Sequence, residues 1–199
     1  MSTHSTLRVG ILLFDGVEEL DAVGPWEVLA SWARHSTLHP EVLTFSADGA
    51  GVRCAKGMSI VPDTGADDLG PLTVLVHPGG RGTRTLLVDE THLAWVRRTR
   101  TSTPLMTSVC TGALVYAAAG LLAGRPATTH WGSLDDLVAA DPSVLVDTDA
   151  QFVDDGDVVT SAGGSAGIDM ALHLVARLES TEMARGVRRG IQYDPAPPV

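Results

Sequence analysis

Cys110 closes an apolar run and is followed at once by Thr111-Gly112 and a helix-forming segment. A cysteine at such a strand-to-helix turn is held in a strained backbone conformation with its side chain pointed out of the turn. The start of the next helix favours negative charge, so the sequence predicts a stabilised thiolate and covalent, nucleophilic chemistry here. The plainer alternative is an inert thiol, since free cysteine often packs as a small hydrophobe. The second cysteine, Cys54, falls in a loop with no visible partner and reads as incidental.

Three other groups are spaced to serve such a nucleophile. His77-Pro78-Gly79-Gly80 follows a strand expected beside the Cys110 strand. The N–H groups of Gly79 and Gly80 could build an oxyanion hole there, although an ordinary strand-to-helix turn has the same composition. Glu18, Glu19 and Asp21 cluster just past the first strand, where a carboxylate buried against the thiol would act as general acid or base. Glu18 reads best as a helix-entry acid, and spacing does not choose between Glu19 and Asp21. His130, in Thr128-Thr129-His130-Trp131, is either a base near the thiol or a core histidine satisfied by the backbone; the residues alone favour the core. The seven histidines lack ligand spacing, and Asp147, Asp149, Asp154, Asp155 and Asp157 lack the order of a calcium loop, so no metal is expected. Gly163-Gly164-Ser165 precedes a helix and could receive an anion, without a full dinucleotide or phosphate-loop signature.

These residues need a scaffold, and the pattern around them is one of alternating strands and helices. Strands are expected at 9–14, 41–45, 72–76 and 104–109, the first a continuous apolar run suited to burial on both faces. Pro25 suits the first turn of a helix that turns Val28, Leu29 and Trp32 inward. Further helices are expected at 85–100, 111–122, 134–140 and 165–179, with Gly124 as the stop of the second. Residues 47–71 hold five glycines and two prolines and read mostly as loop, with one edge strand near 58–61. Residues 126–131 are expected to return to the sheet, and 143–160 to form a hairpin turning at Asp155-Gly156. The alternation implies an α/β fold, a mainly parallel sheet with helices on both faces. Ligands of such sheets bind at the carboxyl ends of the strands, which gathers residues 15–21, 77–82 and 110–112 into one site.

A length of 199 residues fits one domain able to bury roughly 70% of its unfolded surface. Residues 1–8 read as an N-terminal extension and 193–199 as an extended, proline-rich tail. With 44% hydrophobic and 19% charged residues, the composition is globular rather than disordered. A net charge of −10 repels phosphate backbones and anionic lipid, and Arg97, Arg98, Arg100, Arg185, Arg188 and Arg189 read as solvated helix faces. Neither nucleic acid nor membrane is expected as a partner; the expected partner is a small-molecule substrate. No apolar stretch approaches the ~20 residues of a membrane span, and the first residues carry no signal-peptide core. Two cysteines make no disulfide framework, so a cytoplasmic protein with free thiols is the expectation.

Segments 9–29, 77–82, 107–131 and 160–174 resemble the ThiJ/PfpI superfamily. Its members have a class I glutamine-amidotransferase-like, flavodoxin-like fold, a three-layer α/β sandwich with a nucleophile elbow, here at Cys110. Within it, Leu20-Asp21, Gly24-Pro25, the 108–112 elbow and the Tyr193-Asp194-Pro195 tail are similar to the isonitrile hydratases. The resemblance implies that Cys110 is the nucleophile, Thr111 its elbow neighbour, and Asp21 rather than Glu19 the proton donor. The sulfur would attack the terminal carbon of R–N≡C, water would attack the thioimidate, and an N-substituted formamide would leave. Gly79, Gly80 and His130 would line the substrate site, no cofactor would be needed, and the protein would form a homodimer. Two alternatives follow from the same superfamily: a hydrolase or glyoxalase-like enzyme with His130 as base, and a non-catalytic sensor of oxidation or of a metabolite. Three departures stand out. Protease-like members place a histidine directly after the nucleophile, where this chain has Thr111. Transcription-regulating relatives carry a further C-terminal helix-turn-helix region that the 199 residues lack. Gly163-Gly164-Ser165 is smaller than the bulky apolar residue expected beside a hydratase nucleophile.

Overall fold

The computed structural model describes residues 7–196. The chain runs β1 (Arg8–Leu12), α1 (Glu19–His35), β2 (Glu41–Ser46), the hairpin β3 (Val52–Arg53) and β4 (Ser59–Ile60), then β5 (Thr64–Gly65) and β6 (Val74–His77). It continues through α2 (Thr83–Leu86), α3 (Glu90–Ser102), β7 (Leu105–Val109), α4 (Gly112–Ala118), β8 (Pro126–Ala127), α5 (Leu134–Ala140) and β9 (Leu145–Val146). The last elements are β10 (Phe152–Asp154), β11 (Val158–Ser161), α6 (Ala166–Leu178) and α7 (Thr181–Gly190). Seven strands share one sheet in the order β10-β11-β7-β6-β1-β2-β5, parallel except for the β10–β11 pair.

Alternation along the strands sorts the core into two layers. Val9, Ile11, Val76 and Val109 face Val28, Trp32, Met170 and Leu174 of α1 and α6. Leu12, Leu75 and Met106 face Leu93, Leu114, Tyr116 and Leu137 of α3, α4 and α5. Gly10 has no side chain because Leu72 and Phe45 occupy its place: a Cβ there would meet Leu72 Cδ1 at 2.9 Å and Phe45 Cε1 at 3.1 Å. At the far end of α1, Glu179 Oε2 accepts from Trp32 Nε1 at 2.6 Å and from Ser36 Oγ at 2.5 Å, tying α1 to the end of α6.

The mainly parallel three-layer sandwich agrees with the sequence, while several element boundaries do not. Pro25 lies inside α1, whose first turn starts at Glu19, so the missing N–H of Pro25 interrupts the bond to the Asp21 carbonyl. Glu18, the N-cap, makes no side-chain cap, which hid this start. The expected helix 85–100 is two helices, because Asp89 caps a new one by accepting the Thr91 N–H at 2.9 Å. α4 stops before Gly120, whose φ of +82° ends it earlier than Gly124 would. β8 leaves the main sheet and pairs with β9. Only residues 152–161 form the expected hairpin. Residues 47–71 contain three short strands rather than one. The tail beyond 196 and the first six residues lie outside the described residues.

Candidate active site

At the carboxyl end of β7, Cys110 adopts φ +55°, a left-handed conformation that costs a non-glycine residue about 1–2 kcal/mol. The surrounding backbone over-determines it. Its N–H is shared between the carbonyls of Ser161 at 3.1 Å and Ala162 at 3.2 Å, and its carbonyl accepts Thr129 Oγ1 at 2.7 Å. The sulfur is directed to a pocket at the strand ends with Thr111 as its next neighbour. Gly79 and Gly112 make this close approach feasible: a Cβ on Gly79 would stand 2.5 Å from the Thr111 nitrogen, and one on Gly112 2.3 Å from the His77 carbonyl.

Asp21, fully buried in the first turn of α1, is brought against the thiol. Its carboxylate accepts the Gly79 N–H at 3.2 Å and the Gly164 N–H at 3.1 Å, close enough to Cys110 for each group to shift the other's ionisation. Glu19 points elsewhere, accepting the Lys56 N–H at 2.9 Å and the Met58 N–H at 3.2 Å, and so anchors the β3–β4 hairpin. Glu18 pairs with Lys56. The choice that spacing left open between Glu19 and Asp21 therefore falls to Asp21 as the carboxylate beside the sulfur.

Burial dominates the electrostatics. It pushes the Asp21 carboxyl up to about 6, against the pull of the Gly164 N–H, the thiol and the Gly79 N–H. It pushes the Cys110 thiol up to about 12, and the Asp21 charge adds to the rise. The Thr111 amide and hydroxyl draw it down by less. The expected thiolate is therefore corrected. The helix start favours the anion, but a dry site beside a carboxylate pushes the thiol the other way, toward its protonated form.

The N–H groups of Gly79 and Gly80, expected to form an oxyanion hole, both donate to side chains of the site. Gly79 donates to Asp21, and Gly80 donates to Thr111 Oγ1 at 3.0 Å. Thr83, missed in the sequence, completes this knot: its Oγ1 reaches the Gly80 carbonyl at 2.7 Å and lies 3.0 Å from Thr111 Oγ1. Thr129 was missed as well, since nothing in its spacing marks a hydroxyl that holds the Cys110 carbonyl. The anion received by the Gly163-Gly164 turn is the protein's own Asp21.

His130 stands at the pocket wall. Its Nδ1 accepts the Gly132 N–H at 3.1 Å, which leaves the ring proton on Nε2. A Cβ on Gly163 would lie 2.3 Å from His130 Cδ2 and 3.3 Å from Cys110 Sγ, so ring and sulfur approach the same point. His77 turns away into the core: its Nδ1 bonds to the Pro78 carbonyl at 2.9 Å, and burial holds its imidazole down to about 3. The pocket, about 460 Å³, is lined by Glu18, Lys56, Arg81, Arg84, Cys110 and His130, with Leu20, Gly80, Thr111 and Gly164 between them. Among the described residues no group of three or more His, Cys, Asp or Glu could hold a metal ion, and no helix is long and apolar enough to cross a membrane.

Known proteins share this arrangement of elements. The profile of the DJ-1/PfpI family matches residues 7–177. Isonitrile hydratase of Pseudomonas putida is 39% identical over 194 residues, covering 96% of this chain and 81% of its own length. The HTH-type transcriptional regulator GbdR of Pseudomonas aeruginosa is 32% identical over 76% of this chain, which spans only 41% of the regulator. The crystal structure of a ThiJ/PfpI family protein from Pseudomonas syringae superimposes with a TM-score of 0.88 at 31% identity, covering 98% of this chain and 78% of that one. By sequence and by fold, the chain belongs to the DJ-1/PfpI family.

Proposed function

We propose that the chain is a cofactor-independent isonitrile hydratase whose nucleophile is Cys110 and whose proton carrier is Asp21. The observation that carries this reading is a fully buried carboxylate, Asp21, held by the Gly79 and Gly164 amides beside the strained Cys110 turn; burial favours the protonated form of both groups. The terminal carbon of an isonitrile needs a nucleophile and a proton on the same atom. As sulfur bonds to that carbon, Asp21 takes the thiol proton and passes it to the carbon, giving the thioimidate R–N=CH–S–Cys110. Water, deprotonated by the same carboxylate, then adds to the C=N carbon while that proton passes to the nitrogen, giving R–NH–CH(OH)–S–Cys110. As the C–S bond breaks, the hydroxyl proton is carried to sulfur and R–NH–CHO leaves. The sum is isonitrile plus water to formamide, with no redox change. The 39% identity to the Pseudomonas putida hydratase supports the same reading.

In this scheme Thr111 supports the developing sulfur charge through its amide and hydroxyl, and His130 offers an Nε2–H donor to the substrate nitrogen. That tautomer cannot accept a proton at Nε2, which weighs against a hydrolase built on His130 as base. The protein would act as a homodimer. Exposed Leu20, Val23, Trp26, Met58 and Val61 form an apolar face on α1 and the β3–β4 segment, whereas β1 is interior to the sheet. The test is formamide production from cyclohexyl isonitrile. Turnover that disappears in Cys110→Ala supports the proposal, and absence of turnover by the folded wild type refutes it.

A further inference from the structure

We infer that the pocket selects a small electrophile bearing a carboxylate or similar planar oxyanion, and that Arg81 is the residue that reads the charge; the inference rests on Cys110 being the reacting group of this pocket. The chain carries 24 acidic against 14 basic residues, yet the wall of the Cys110 pocket presents Lys56, Arg81 and Arg84 against one carboxylate, Glu18. An acidic protein that concentrates cations around its thiol raises the local concentration of anions that the rest of its surface repels.

Two of the three cations are occupied. Lys56 pairs with Glu18, and Arg84 Nη2 lies 2.8 Å from Asp136 Oδ2. Arg81 forms no ion pair, and its side chain makes no hydrogen bond, among the described residues. The charge of Glu19 reaches it: Glu19 Oε1 is engaged by the Lys56 and Met58 amides and Oε2 has no hydrogen-bond partner, but no Arg81 nitrogen lies within 4.0 Å of either oxygen. The backbone around Arg81 is fixed: Gly82 N–H donates to the Gly16 carbonyl at 3.1 Å and Arg84 N–H to the Arg81 carbonyl at 3.2 Å. An exposed guanidinium with its donors uncommitted, on a fixed loop, matches the two oxygens of a carboxylate.

The position of Asp21 sets the orientation. Its charge is buried beside Cys110, outside the pocket lining, so an anionic ligand enters with its charge toward Arg81 at the wall and its electrophilic carbon toward the sulfur. Under the hydratase reading the substrate class is an isonitrile of an organic acid.

Alkylation of Cys110 separates charge recognition from hydration. Iodoacetate and iodoacetamide share a leaving group and differ in charge, and their rate ratio on glutathione supplies the reference. The wild-type ratio is expected to favour iodoacetate by about tenfold over that reference at low salt, and to fall toward it at high salt. Arg81→Ala should return the ratio to the reference, and Arg81→Lys should keep part of the preference. A wild-type ratio at or below that of glutathione, or a preference that survives in Arg81→Ala, overturns the inference. Isocyanoacetate against its methyl ester then reads the same preference in kcat/KM. If iodoacetate is favoured but no isonitrile is hydrated, charge recognition stands and the hydratase reading falls. If cyclohexyl isonitrile is hydrated without any iodoacetate preference, the hydratase reading stands and the role of Arg81 falls.

Discussion

The edge of the His130 imidazole occupies the space that a side chain at Gly163 would need, with Cys110 Sγ on the other side of the same point. Glycine here is a condition for the ring's position. Gly163→Val should displace His130 and lower kcat/KM at least tenfold, while far-ultraviolet circular dichroism stays native, because misplacement by about 1 Å can cost on the order of 10²-fold. Unchanged kinetics in a folded Gly163→Val protein would remove His130 from the site.

The Asp21 and Cys110 values define the pH dependence. Between about 6 and about 12 the pair keeps one proton, on sulfur, and the carboxylate is free to receive it. Hydration kcat/KM is therefore expected to rise as pH increases through about 6 and then to remain level into the alkaline range. Stability has the opposite sign. The Asp21 carboxyl has its pKa raised in the fold, so its contribution is complete below the ordinary carboxylate range and fades as pH rises through about 6. A rate profile that falls between pH 6 and 8 would contradict this assignment.

Substitution distinguishes proton carrier from wall. Asp21→Asn should lower kcat by about 10²–10⁴, and His130→Asn by much less. The Asp21 charge raises the thiol pKa, so Asp21→Asn should also make Cys110 more acidic, visible as thiolate absorbance appearing at lower pH. Near-wild-type rates in Asp21→Asn beside collapse in His130→Asn would reverse the two roles.

Thiol reactivity supplies another check. Cys54 is fully buried with its pKa raised, and Cys110 is the thiol that lines the pocket. Iodoacetamide at neutral pH should modify Cys110 before Cys54, yet more slowly than it modifies free cysteine, because the buried thiol keeps its proton. Mass spectrometry after timed quenching would locate the label, and faster reaction at Cys54 would contradict the site.

The apolar face of Leu20, Val23, Trp26, Met58 and Val61 should be covered by a second copy. Light scattering is expected to return about twice the 20.8 kDa chain mass, and Val23→Asp with Met58→Asp should return one chain mass. A monomeric wild type at micromolar concentration would rule the dimer out.

The sheet was legible because buried parallel strands are continuous apolar runs; 9–14, 72–76 and 104–109 left no other reading. Cys110 was legible for a local reason, its place between such a run and Thr111-Gly112. Its ionisation was not, because a helix start can be seen in sequence while the burial and the Asp21 charge that outweigh it arise only when α1, β6 and β7 meet. The commitments of the Gly79 and Gly80 amides were hidden for the same reason: their acceptors lie 58 and 31 residues away. The start of α1 was obscured by an N-cap without a capping side chain and by a proline inside the helix.

The doubly held backbone of Cys110 has an entropic consequence. Its N–H is shared by two carbonyls and its own carbonyl is clasped by Thr129, so the orientation of the sulfur's attachment is settled once, when the chain folds. A reactant arriving in the pocket then has only its own translation and rotation to surrender, and the protein's share of the ordering does not recur with each turnover.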